Sequence, residues 1–454
     1  MTGMRAGLQR WLDFDLTIIS NATSMLGTTA VTSGLGFAFW WVAARYFAPA
    51  EVGFAAAAIS AMMLLGTIGV LGFGTLLIGE LPHLADRRAA LITTALLISG
   101  LAGTACGLAF AVLAPGLAPD LRPLSTSLSS TLLFGLGVGL TAVTTVLDQA
   151  LIGLLQGQVQ LGRNTLFAVT KLALLVGLAV WAHYTLGLGI YAVWLAGNVL
   201  SLAAVAVLVV RRGVSVAELL PWPGFLRRLG RAALDHHLLN LALQAPGFAL
   251  PVLVTALLSA RANAGFYVGW TIVSFVFVAP AALTTVLYAV GAADIALLGT
   301  KLRMTLRLSF LAGLLGFVGL FVLGSPLLSL FGKEYADEAA RSMLILSLAV
   351  FPLTVKLHYV AVMRIRNRFT AAAWGMALGG ILELLMAGFG AHLAGLDGLS
   401  AGWVLALCVE AAFVARGVYL AAIATPSGRQ QVSDPARWQQ PTRDDTRIEE
   451  GRAK

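Results

Sequence analysis

Continuous apolar runs of about 20 residues, separated by short polar breaks, fill the chain from position 17 to position 423. A run of that length crosses the hydrocarbon core of a bilayer as a helix. A transmembrane strand would alternate polar and apolar residues over roughly 10 positions, and the runs here do not alternate. They predict twelve helices near 17–43, 54–79, 90–114, 128–154, 165–183, 187–210, 237–260, 264–290, 306–324, 341–361, 370–391 and 398–423. The expected fold class is therefore an all-α polytopic membrane protein.

Composition agrees. The chain has 454 residues, of which 59% are hydrophobic and 11% charged, with a mean hydropathy of +0.87. Soluble domains carry about 25% charged residues. The two cysteines, Cys106 and Cys408, lie far apart inside apolar runs and read as small buried residues, not as a disulfide framework. The polar N-terminal stretch, MTGMRAGLQRWLDFDL, runs into the first span without a small-residue cleavage site, so no signal peptide is expected.

Charge sets the direction. With the N-terminus taken as cytoplasmic, 22 Lys and Arg residues fall on the inner side and only Arg45, Arg122, Arg261, Lys333 and Arg341 on the outer. Lys171, Lys356 and Arg416 lie within spans. The positive-inside bias thus predicts a cytoplasmic-membrane protein with both termini in the cytoplasm.

The longest internal polar stretch, 211–236, follows the sixth span and divides the chain into lobes at 1–210 and 237–423. Arg227, Arg228 and Arg231 share one helical face after Pro223, which fits a short interfacial helix or simply a basic cytoplasmic loop. Residues 424–454 are rich in Arg, Asp, Gln and Pro and are expected to be disordered. PAEVGFAAAAIS (Pro49–Ser60) and RANAGFYVGWTI (Arg261–Ile272) each follow the first span of a lobe, and their Gly-Phe pairs are 212 residues apart. Six spans per lobe give the second copy the orientation of the first, hence a pseudo-two-fold axis along the membrane normal, with a binding site expected between the lobes.

The corner AARYFAPAEVGF and the exit of the second span, GVLGFGTLLIGELPHLADR (Gly69–Arg87), carry a resemblance. They are similar to the polysaccharide repeat-unit flippases of O-antigen and capsule type, within the multidrug/oligosaccharidyl-lipid/polysaccharide exporter superfamily. The resemblance implies transport of lipid-linked oligosaccharide across the cytoplasmic membrane by alternating access. It implies a central cavity lined by helices 1, 2, 7 and 8, with membrane lipids and other polysaccharide-assembly proteins as partners. No cofactor, metal, catalytic residue or nucleic-acid partner is expected. The superfamily's lipid II branch has fourteen spans and several cavity arginines, and this chain departs from both. A related multidrug or metabolite antiporter is the alternative. No G-x-x-x-x-G-K-[ST] loop for a primary pump is present, and the short outer loops disfavour a membrane-embedded polymerase or transferase.

The polar residues inside spans are the site candidates. Thr17, Asn21, Ser24, Thr28 and Thr32 share a face of helix 1, as a sugar-accepting wall or as back-bonded packing residues. In helix 7, Asn240 and Gln244 precede Pro246 and Pro251, which suggest a bent gate. Under the resemblance, Arg45 at the cavity mouth would hold a diphosphate; otherwise it snorkels to headgroups. Glu51 would pair with Arg45 or cap the second helix. Asp148 and Lys171, each about six residues from the inner end of its predicted span, are expected to pair or to serve ion coupling. Glu383 and Glu410, midway along helices 11 and 12, would carry a proton or bond to neighbours. Lys356, His358 and the Arg364, Arg366 and Arg368 cluster read as snorkelling at the inner boundary.

Overall fold

The computed structural model describes residue 24 and residues 27–181, 188–215, 217–222 and 231–423. Thr17, Asn21, the 223–230 part of the connection and the 424–454 tail lie outside the described residues. The described chain is helical throughout, without a strand. In the first lobe, α1 (27–46) is followed by α2 (Pro49–Gly69), α3 (Phe73–Glu80), α4 (Arg88–Leu117), α5 (Leu128–Gly153), α6 (Gly157–Trp181) and α7 (Leu188–Arg211). The second lobe comprises α8 (Arg231–Leu257), α9 (Ala260–Ala293), α10 (Leu298–Ser329), α11 (Lys333–Ser347), α12 (Val350–Ile365) and α13 (Phe369–Ile423).

These helices resolve into twelve spans in two lobes. Nine are long and apolar enough to cross a membrane. One of them, α13, is two spans joined at Ala394 and Gly395, where Gly395 takes φ 55° and ψ −133°, a conformation that L side chains resist. The α11–α12 pair makes one span bent by 42°, and α1 supplies the remaining one. The predicted second span, 54–79, is also broken. Leu71 (φ 51°) and Gly72 (φ 84°) turn the chain between α2 and α3.

Two boundaries moved in a way that affects function. The α6 helix begins at Gly157, not near 165. Its first two turns carry Gln158, Gln160, Arg163 and Asn164, which a hydropathy window reads as loop, yet Gln160 and Arg163 are buried. The eighth helix starts at Arg231, so the last turn of the predicted 211–236 connection belongs to α8. The connection also docks on the first lobe. The Trp222 backbone N–H donates to Thr94 Oγ1 at 2.7 Å, and the Arg87 guanidinium stacks 4.6 Å from the Trp222 ring.

The lobes meet along α2, which packs against both α8 and α9. One end of this seam, here called the corner end, holds the α1–α2 and α8–α9 connections. The other, the basic end, holds Arg87, Arg88, Arg211, Lys301 and Arg364. The two Gly-Phe motifs recognised in the sequence cross each other at the corner end. Gly53 lies so close to α9 that a Cβ there would run into the Ala260 carbonyl. Asn263, fully buried, donates from Nδ2 to the Gly53 carbonyl at 2.7 Å. The internal repeat is thus a structural contact about the lobe axis.

Gly53→Ala is expected to force α2 and α9 apart and cost about 1–3 kcal/mol as an overpacked contact. Gly375→Ala, whose added methyl meets nothing within 4 Å, is expected to be neutral. Thermal unfolding of the two purified variants beside the wild type checks this.

Candidate functional site

At the corner end, α1 reaches across to the second lobe. Trp41 Nε1 and Arg45 Nε both donate to the Leu330 carbonyl, at 2.9 and 2.8 Å, just beyond the end of α10. Asp120, in a 3₁₀ turn of the first lobe, accepts from the Ala260 backbone N–H at 2.7 Å. Trp40 packs on Tyr267 of α9 at 4.6 Å, and Tyr267 hydrogen bonds with Ser60. Arg45 thus makes an inter-lobe contact through Nε, while its side chain remains exposed at the corner end. Glu51 sits in the first turn of α2. The corner end is closed by a handful of hydrogen bonds to backbone groups and one tight helix crossing.

Ser24, Thr28 and Thr32 are the described members of the helix 1 stripe. Ser24 is buried, Thr28 Oγ1 donates to the Ser24 carbonyl at 2.8 Å, and Thr32 Oγ1 donates to the Thr28 carbonyl at 2.7 Å. Each of these threonine hydroxyls has its one proton committed within its own helix. In the second lobe, α8 continues through Pro246 and Pro251 as one helix. Asn240 Oδ1 accepts from Arg364 Nη2 at 2.7 Å, and exposed Gln244 donates to the Asn240 backbone carbonyl at 3.3 Å. Arg364 is not a freely snorkelling residue, since its Nε is buried and unpartnered.

Asp148 and Lys171 do not pair. Asp148 is held by Arg163 in a two-pronged contact, Nε to Oδ1 at 3.0 Å and Nη2 to Oδ2 at 2.6 Å, with Asn164 Nδ2 adding a bond of 3.2 Å. The difference lies in the start of α6. Measured from Gly157, Lys171 is fourteen residues into the helix, or about 21 Å at 1.5 Å per residue. Arg163 is six residues in, about 9 Å deep, which matches Asp148 on α5. The sequence offered Arg163 as a loop residue, so this partner was missed. Thr141, Thr144 and Thr145 bond to backbone carbonyls in their own helix and not to Asp148.

Lys171 itself lies in an aromatic cage. Its Nζ is 3.5 Å from the Trp194 ring centre, 4.7 Å from that of Phe167 and 5.1 Å from that of Phe39. It is 4% exposed.

Glu383 and Glu410 converge on a cation that the sequence had placed at a membrane boundary. Lys356 Nζ lies 2.5 Å from Glu383 Oε1 and 2.8 Å from Glu410 Oε2. Trp403 Nε1 donates to the other Glu383 oxygen, Oε2, at 2.6 Å. All three charged side chains are buried, between 3% and 6% exposed. Glu410 enters through a gap left by glycine, for a Cβ on Gly379 would fall on its carboxylate. Glu383 has a donor on each oxygen, whereas Glu410 has the ion contact but no well-aligned donor. Counted by charge, one ammonium faces two carboxylates. Full ionisation leaves a surplus of one negative charge on buried side chains, and one added proton or monovalent cation makes the cluster neutral.

Two apolar grooves flank the seam. One, of about 300 Å³, lies between α8 and the first half of α13, with Asp235 and Thr370 at its polar end. The other, of about 400 Å³, is walled by Phe37 of α1 together with α9 and α10, including Phe275 and Leu323.

No known protein family matches the chain, and no curated protein sequence matches it. Solved structures do. The fold is similar to an inward-facing multidrug resistance MATE family transporter of the MOP superfamily, at TM-score 0.68 and 15% identity, covering 86% of this chain and 93% of that one. It is similar to an outward-facing transporter of the same description at TM-score 0.59 and 14% identity, over 89% and 96% of the two chains. A MOP superfamily transporter from Pyrococcus furiosus, whose binding pocket is described as reversed in polarity, matches at TM-score 0.56 and 13% identity, over 90% and 96%. The fold is thus that of MATE-type transporters.

Arg163→Met is expected to strand the Asp148 carboxylate and cost about 3 kcal/mol or more. Adding Asp148→Leu in the same chain is expected to recover most of that loss. Thermal unfolding of both single variants and the double variant measures the coupling.

Proposed function

We propose that this chain is a membrane transporter that moves lipid-linked oligosaccharide across the cytoplasmic membrane by alternating access, for cell-surface polysaccharide assembly. The groove across the α1, α9 and α10 boundary is the observation that carries this reading. It lies along α9 and α10 of the second lobe with Phe37 of α1 at its edge, is apolar, and has a volume of about 400 Å³. An isoprenoid or acyl tail can stay in such a groove, in contact with the bilayer, while a polar head passes between the lobes. The corner motifs that resemble the repeat-unit flippases support the same substrate class.

Alternating access is supported by the closed corner end and by the greater likeness to an inward-facing chain than to an outward-facing one. In this reading the basic end faces the cytoplasm, in keeping with the positive-inside bias. The substrate then enters at the basic end and leaves once the contacts of Trp41, Arg45 and Asn263 release. Those contacts are few and polar, which suits a seal that must break and re-form. Residues 1–210 and 237–423 move as the two lobes. Membrane lipids and other polysaccharide-assembly proteins are the partners this reading implies.

A second reading, a cation-coupled multidrug or metabolite antiporter, is favoured by the Lys356, Glu383 and Glu410 cluster. Its surplus carboxylate can take up one proton or one cation on each cycle. The MATE structures that share the fold are described as multidrug transporters.

The deciding experiment is leaflet accessibility in reconstituted vesicles. Wild-type protein is expected to expose a lipid-linked glycan to an impermeant probe, at a rate lowered about tenfold or more by Arg45→Ala and less by Arg45→Lys, at equal protein content. No glycan movement, together with pH-gradient-driven drug efflux lost in Glu410→Gln, would favour the antiporter.

A further inference from the structure

The groove of about 300 Å³ between α8 and the first half of α13 is used by neither reading. Ala242, Ala245, Ala373 and Ala377 line it, and their short side chains leave the space between the two helices open. Trp374 and Ile381 border it and are 68% and 56% exposed, so it opens outward to the bilayer. Deeper in, the helices meet, since a Cβ on Gly380 would lie 3.0 Å from Pro246 Cγ. Along α8 the lining runs from Asp235 to Pro246, eleven residues, or about 16 Å at 1.5 Å per residue. One leaflet contributes about 15 Å of the hydrocarbon core. The groove thus has the length of one leaflet. Its polar end is at headgroup level, because the apolar span of α8 begins at Leu234. There Asp235 Oδ2 accepts from Thr370 Oγ1 at 2.6 Å, and Asp235 Oδ1 has no partner among the described residues. Arg366 and Arg368 are exposed in the turn before α13, four and two residues from Thr370.

We propose that this groove is a binding site for one phospholipid with a primary-amine headgroup, an ethanolamine lipid of the leaflet at the basic end. One acyl chain lies between α8 and α13, the ammonium donates to Asp235, and the phosphate meets Arg366 and Arg368. The order of charges selects this occupant. A diphosphate or a glycerol phospholipid would set negative charge against the Asp235 carboxylate. A choline headgroup carries the positive charge but has no N–H to donate, whereas a primary ammonium has three. A lipophilic amine without phosphate leaves both arginines unused. Trp374, one turn past Thr370, lies at the depth where tryptophan collects in membrane interfaces. The groove therefore differs in chemistry from the one walled by Phe37, which has no charged residue along it. Because α8 also packs against α2, the lipid rests on a helix of the seam, and it does so under either transport reading.

The test uses the delipidated full chain in detergent. Added dioleoyl phosphatidylethanolamine is expected to raise the melting temperature saturably, by about 2 °C or more. Dioleoyl phosphatidylcholine is expected to need about tenfold more lipid for the same rise, the effect of one hydrogen bond to a charged group. Dioleoyl phosphatidylglycerol is expected to do less still. Asp235→Asn keeps an acceptor for Thr370, and it is expected to erase the preference for ethanolamine over choline while the lipid-free melting temperature stays near that of the wild type. Ala377→Phe fills the groove and is expected to abolish the response to all three lipids. Equal responses to ethanolamine and choline lipids, a preference for phosphatidylglycerol, an equal response to dodecylamine, or an ethanolamine preference that survives Asp235→Asn would each overturn the proposal. If Asp235→Asn fails to fold, the wild-type lipid series and Ala377→Phe still decide it.

Discussion

Lipid offers neither counter-charge nor hydrogen bond, so each charged group inside this protein must find its partner within the protein or in something bound to it. That constraint organises the interior. In the first lobe, Asp148 and Arg163 satisfy each other. In the second, Lys356 draws a carboxylate from each half of α13. The break at Ala394 and Gly395 folds α13 back on itself and so brings Glu383 and Glu410 to the same ammonium. Gly379 then clears the space that Glu410 fills. The second lobe's interior charge is thus a consequence of its chain path.

The two lobes differ in what they leave unbalanced. The first holds a buried ammonium without an acid, and the second holds one acid more than its ammonium can neutralise. Neither imbalance is an economical way to stabilise a fold, since apolar replacements of similar shape would be at least as stable. Between them runs the seam, where polar contacts are made mainly to backbone carbonyls and amides.

Much of this was legible in the sequence. The number of spans, the break between the last two, and the internal repeat follow from apolar run lengths and from the Gly-Phe pairs, and the Gly53 crossing gives that repeat a physical meaning. The carboxylates at 383 and 410 stand out because charge is rare in such runs. Their partner did not stand out. The tenth span reads as ending near 361, whereas α12 extends to Ile365, and so Lys356 lies nine residues inside it and not at a boundary. The same limit misplaced Lys171. A hydropathy window sees the polar start of α6 as loop, although Gln160 and Arg163 are buried there and Arg163 is held by Asp148. Polar networks inside a membrane protein erase the signal by which helix ends are read. The acceptor of Arg45, a carbonyl 285 positions away, carries no sequence signature.

The central claim is that the corner-end seam is one of two states and that its opening completes the transport cycle. Spin labels on the two sides of that seam, in α2 near Pro49 and in α10 near Ser329, report it by pulsed dipolar distance measurement in lipid discs. A short-distance population is expected to give way to a longer one when the Trp41 and Arg45 contacts are removed. A single short distance, unchanged by the variants, would contradict it.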